Sequence, residues 1–188
     1  MKLYHYAKKE NSILKDGLLS FSKSNLFNIK DYNKRTEGLK TKEDVITWME
    51  SCFIGRSRGI RFFTEPIKWH NNAVNVLKTF VDNRYLYSIN LEEIEQDGLI
   101  DAIYVSPPLY EHPDYNDNDF RFRWGCDEIY IKLNSLQEID FSPIDWSICD
   151  DESGRRFAFV RYYLLIIKDG RIPPKYIKQE NISSLPTT

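Results

Sequence analysis

Apolar and polar residues alternate with two different periods along this chain, and the switches of period mark out its elements. In Ile129-Tyr-Ile-Lys-Leu133, Ile129, Ile131 and Leu133 alternate with Tyr130 and Lys132, the period of two that makes a half-buried strand. Lys2 to Tyr6 alternates in the same way, with Leu3 and His5 on one face and Tyr4 and Tyr6 on the other. The run from Phe157 to Ile167 is long, aromatic and β-branched and reads as a further strand. Ile60 to Thr64, Arg84 to Ile89 and Ile100 to Val105 read as three more, the last broken by Ser106-Pro-Pro108.

Helical spacing predicts four helices. The first runs from about Lys8 to Lys15, with Ile13 and Leu14 inward and Gly17 as its stop. Thr41 caps the second, with Asp44 in capping-box position and Val45, Ile46, Trp48, Met49, Cys52 and Phe53 as a buried stripe. Thr64 caps the third, which carries Glu65 and Pro66 in its first turn and reaches about Asp82. Its core face is Ile67, Val74, Leu77, Phe80 and Val81. Asn90 and Glu93 frame a short fourth helix that Gly98 ends.

Leu136, Ile139 and Phe141 follow the strand at 129–133, Asp169-Gly170 signals a turn, and Ile172 to Ile177 packs back. The polar loop to about Lys40 is long enough to suggest a function. No repeat or linker interrupts the pattern, so one α+β domain over residues 1–180 is expected, with 181–188 as a frayed tail.

Composition narrows the functional classes. A chain of 188 residues has ample length for a core, and a net charge of −2 argues against a surface that grips nucleic acid all over. Cys52, Cys126 and Cys149 lack paired metal spacing and read as reduced thiols. No signal peptide or membrane-spanning stretch is evident, which predicts a cytoplasmic protein, with leaderless secretion into a host also compatible.

The stretch Arg121 to Leu133 enters aromatic and basic, turns at Gly125 and presents Asp127 and Glu128 just before a strand. A carboxylate there is held by a rigid element and can still face a cleft. Three segments in order then resemble the ADP-ribosyltransferase family. Leu3-Tyr-His-Tyr6, followed by a short helix and Gly17-Leu18, is similar to the opening of several bacterial members. Gly59-Ile-Arg-Phe-Phe-Thr64 is similar to the middle strand that ends in a hydroxyl residue, and Cys126-Asp-Glu128-Ile-Tyr-Ile to the entry that bears the catalytic glutamate. The resemblance covers about residues 2–133, and Ile172 to Ile177 is similar to the closing strand of many such domains.

The resemblance implies a split β-sandwich of two small sheets, flanked by helices, around a cleft for NAD as substrate. Glu128 would stabilise the oxocarbenium-like charge on the ribose as the nicotinamide leaves, a demand that glycosidase carboxylates also meet. His5, Tyr6, Arg61, Phe63 and Thr64 would hold the dinucleotide, His5 through the other ribose. Phe62, Phe63 and Tyr87 are candidate nicotinamide platforms, and Arg56, Arg58 and Arg61 candidate pyrophosphate ligands, although a solvated basic turn also accounts for the first two. The segment 109–123, with Tyr110, Asp114, Tyr115, Asp117 and Asp119, falls where the family recognises its acceptor. Its acidity favours a protein over a nucleic acid.

The implied activity is mono-ADP-ribosyl transfer by a bacterial or phage toxin or effector. Cys126 stands where arginine-modifying members carry Glu, which argues against arginine as the acceptor. An inactive binding module, an RNA 2′-phosphotransferase on the same fold and a metal hydrolase using His70, His112, Asp114 and Asp117 are the other readings.

Overall fold

A computed structural model of the protein describes residues 1–9, 11–25, 39–68, 80–108, 111, 129–146 and 160–181. Within them the chain is mixed α and β, and its strands form three antiparallel sheets. The strands are β1 (Lys2–Lys8), β2 (Leu18–Leu19), β3 (Gly59–Phe62), β4 (Arg84–Asn90), β5 (Ile100–Ser106), β6 (Ile131–Leu133), β7 (Tyr162–Ile167), β8 (Arg171–Ile172) and β9 (Ile177–Glu180). The larger sheet has the order β3-β7-β5-β6, the smaller β1-β4-β9, and β2 pairs with β8. Among the described residues, α1 (Ile13–Asp16), α2 (Lys42–Cys52) and α3 (Leu91–Gln96) connect them.

The inner faces of the two main sheets share one core. Leu3, Tyr87, Ile89 and Ile177 of the smaller sheet pack in a single cluster with Ile60, Phe62, Ile103, Tyr163, Leu165 and Ile167 of the larger. The alternation read in β1 is therefore real: Leu3 enters this core, and Tyr6, on the opposite face, enters a second cluster with Phe63, Ile67, Leu86, Trp146 and Tyr162. All six residues of β7 are buried, which explains a continuous apolar run instead of an alternating one. On its outer face the turn at Gly55 to Gly59 lies so close that a Cβ on Gly59 would meet the Leu164 side chain at 2.8 Å, and one on Gly55 would meet Ile166 at 2.8 Å.

Several local rules hold. Thr41 and Asp44 make a reciprocal capping box on α2. Asn90 caps α3 by accepting from the Glu92 amide, and Gly98 closes it with its amide on the Glu95 carbonyl at 2.8 Å.

Other expectations fail for tertiary reasons. α1 begins only at Ile13, and Leu14 is 53% exposed, because one turn can bury one apolar side chain. On α2 only Val45 is fully buried, while Trp48 is 37% exposed and Cys52 lies on the surface. No helix starts at Thr64: residues 64–68 are non-helical, and helix is present at 80–82. Glu65, expected to serve a helix N-terminus, instead accepts from the Ile144 amide and the Trp146 indole, both at 2.9 Å. Ile67 and Val81 are buried as expected, and Val74 and Leu77 lie outside the described residues. In β6 the alternation weakens, since Ile131 on this edge strand is 52% exposed and Leu133 alone packs on the core. Phe141 is also exposed, unlike Leu136 and Ile139. Among the described residues no helix is long and apolar enough to cross a membrane.

Candidate functional site

Among the described residues the two main sheets meet edge to edge through one bridge. Tyr4 of β1 and Phe63, just after β3, exchange both backbone hydrogen bonds at 2.8 Å and form an isolated antiparallel bridge. Continuing that register would set Tyr6 opposite Arg61, but no ladder forms there. The Arg61 carbonyl is bonded to the His5 imidazole Nδ1 at 2.8 Å. A side chain thus satisfies a strand carbonyl where the two sheets part.

That bond sets the chemistry of His5. A carbonyl only accepts, so Nδ1 carries the hydrogen and Nε2 presents a lone pair. Burial lowers the imidazole pKa, outweighing the opposing effect of the Arg61 carbonyl, and so keeps the ring neutral. Phe62, at 5.7 Å between ring centres, fixes its tilt. His5 is half-buried, and its Nε2 has no partner among the described residues. A neutral acceptor of this kind suits a hydroxyl donor such as a sugar hydroxyl.

The outer face of the larger sheet carries aromatic rings in a row. The registers of β3, β7, β5 and β6 align Phe63, Tyr162, Ser106 and Tyr130 across it. Tyr162 lies edge-on to Phe63 at 6.5 Å and to Tyr130 at 6.2 Å, and the two tyrosine hydroxyls bond at 2.9 Å. Arg61 lies over the Tyr162 ring at 4.2 Å, and Trp146 abuts Phe63 at 5.6 Å. Sequence reasoning did not single out the Tyr130–Tyr162 pair. Its one signal is that Tyr130 occupies a polar phase of its alternating run.

The expected site residues separate into two groups. His5, Arg61 and Phe63 gather at the parting of the sheets, with half-buried Thr64 next in the chain. Tyr6 is buried, and its hydroxyl accepts from the Ile67 amide at 2.9 Å, a contact that anchors the segment after β3. Desolvation pushes its phenol pKa well above the ordinary value. Phe62, Tyr87 and Phe63 are core residues, 0%, 2% and 8% exposed, which removes all three as open ring platforms. Arg58 is no solvated turn residue: it pairs with Asp101 and donates to the carbonyls of Ile167 at 3.3 Å and Lys168 at 2.7 Å.

Glu128 lies outside the described residues, as do Asp127, Cys126, Cys149, His70, His112 and all of 109–123 except Glu111. Two residues after Glu128 the chain reaches Tyr130 and its bond to Tyr162. Among the described residues no group of three or more His, Cys, Asp or Glu side chains could hold a metal. An open hollow at the far end of the smaller sheet, lined by Lys9, Arg84, Tyr85 and Glu180, is less promising. Arg84 there is bonded to the Phe80 carbonyl at 3.0 Å, and Glu180 to Ser88 at 2.6 Å and Lys2 at 3.2 Å. Comparison with protein-family models, with curated proteins and with solved structures finds no match.

Proposed function

We propose that this protein is a mono-ADP-ribosyltransferase that cleaves NAD and transfers ADP-ribose to a macromolecular acceptor. In this reading the two main sheets, meeting at Tyr4 and Phe63, are the halves of an ADP-ribosyltransferase-like split sandwich within a single domain. The observation that carries it is His5: a neutral imidazole at the parting of the sheets, its Nδ1 on the Arg61 carbonyl and its Nε2 open to accept from a ribose hydroxyl. Arg61 supplies a cation for the pyrophosphate beside it, and Phe63 and Thr64 continue the same wall. Glu128 is the catalytic carboxylate. It meets the positive charge that develops on the ribose carbon as nicotinamide departs, and the acceptor then bonds to that carbon.

Labelled NAD incubated with the protein and a cell lysate tests this. Label on a discrete macromolecular band, absent with Glu128→Gln, is the expected result. Free nicotinamide without a labelled band indicates NAD hydrolysis or a missing acceptor. If a cooperatively folded protein yields neither product, the reading fails in favour of a non-catalytic binding module.

A further inference from the structure

Arg56 is held in an unusual way. It follows α2 in the turn before β3, and its guanidinium lies over three rings at once: Trp48 at 5.0 Å, Tyr130 at 5.2 Å and Phe53 at 5.9 Å. Phe53 in turn stacks on Tyr104 of β5 at 4.4 Å. Ring contacts of this kind use none of the N–H donors of a guanidinium, which lie in its own plane. The Arg56 guanidinium makes no hydrogen bond or ion pair among the described residues, so these donors have no protein acceptor there.

The neighbouring acid does not neutralise it. Glu50 accepts from the Gly55 amide at 2.6 Å, the Ser57 amide at 3.0 Å and the Ser57 hydroxyl at 2.5 Å. These bonds clamp the turn on both sides of Arg56 and fix its backbone before any ligand arrives. Arg58, two residues on, is committed to Asp101 and to two carbonyls. Lys132 is exposed on β6 and directly opposite Tyr104, which adds a second cation beside the rings. Trp48 keeps 37% of its surface in solvent.

We infer that this face is a second binding site, distinct from the parting at His5, and that it takes a nucleotide unit. A phosphate would receive the N–H groups of Arg56, since two parallel N–H donors match two phosphate oxygens. A base would stack on the accessible ring of Trp48, because every base has a π-face. Cations interleaved with half-exposed rings are the usual means of holding single strands, and the same contacts serve a free nucleotide. The Tyr130–Tyr162 hydroxyl bond lies between Arg56 on one ring and Arg61 on the other. The site stands whether or not NAD is cleaved.

Fluorescence anisotropy with a labelled oligothymidylate, beside thymidine monophosphate and polyglutamate as competitors, tests the assignment. The oligonucleotide should bind, weaken about tenfold in Arg56→Gln, and lose about one unit of salt slope, the mark of one phosphate contact removed. Arg56→Lys should retain the salt slope and lose part of the affinity. Thymidine monophosphate competing at equal strength would identify a free nucleotide as the source, and a much tighter oligonucleotide a strand. Trp48→Ala provides the second variant, with reduced affinity at an unchanged salt slope. Four outcomes overturn the inference: no binding by the folded wild type, equal binding by a normally melting Arg56→Gln, equal competition by polyglutamate, or an equal loss of oligonucleotide binding in His5→Ala, which would merge this face with the parting at His5.

Discussion

His5 Nδ1 donates to the Arg61 carbonyl at 2.8 Å, joining two strands of different sheets where their backbone ladder has stopped. The bond ties the tautomer of the imidazole to the geometry of the seam. His5→Ala should therefore weaken NAD binding about tenfold, the loss of one hydrogen bond to a fixed acceptor. Titration calorimetry measures it, and an unchanged affinity would remove His5 from the site.

The same residue predicts a pH dependence. Its pKa in the folded protein lies below the ordinary value of 6.5, so the unfolded chain binds the extra proton first. Stability is full above pH 6.5 and declines as pH falls from there toward the folded pKa. In the proposed site, NAD affinity should fall once the ring itself is protonated, since Nε2–H no longer accepts. Denaturation midpoints of wild type and His5→Gln between pH 7 and pH 5 should converge as the pH drops; parallel curves would contradict the assignment.

Tyr6→Phe removes the acceptor of the buried Ile67 amide. An unsatisfied buried donor costs about 1–3 kcal/mol, so the urea midpoint should fall accordingly with little change in slope.

Glu50→Ala should destabilise by about 1–3 kcal/mol, because three donors of the 55–57 turn lose a charged acceptor. Burial raises the Glu50 pKa, but the bonds from Ser57 and Gly55 outweigh it and hold the group below the ordinary carboxylate value. Its contribution is thus present above about pH 4.5 and lost as pH falls through the folded pKa. Thermal melts of the pair should differ near neutrality and coincide in acid.

Gly17 and Gly98 both have positive φ, at +89° and +65°, yet a Cβ on Gly17 would stand 2.3 Å from the Ile172 carbonyl oxygen, while one on Gly98 meets nothing within 4 Å. Gly98→Ala should cost about 1 kcal/mol from backbone conformation alone. Gly17→Ala should cost clearly more, because the β2–β8 pairing must also shift. Equal chemical-denaturation midpoints for the two variants would refute the steric argument.

The sequence by itself determined what depends on near neighbours. The strand alternation of β1, the capping box at Thr41 and Asp44, the Asn90 cap and the break after Ser106 are all local, and all are present. An α+β class follows from those periods. Tertiary structure decided which apolar residues stay exposed and which polar groups find distant partners. Trp48 has helical spacing suited to a buried stripe, yet it stays 37% exposed and its polar neighbour is Arg56 of the following turn, at 5.0 Å. Glu65 has the sequence context of a helix start, but the Ile144 amide and the Trp146 indole, about eighty positions away, claim its carboxylate. The Tyr130–Tyr162 bond and the His5–Arg61 bond span 32 and 56 positions. Such contacts arise from strand order and register, which set non-neighbouring segments side by side and leave no periodic trace in the chain.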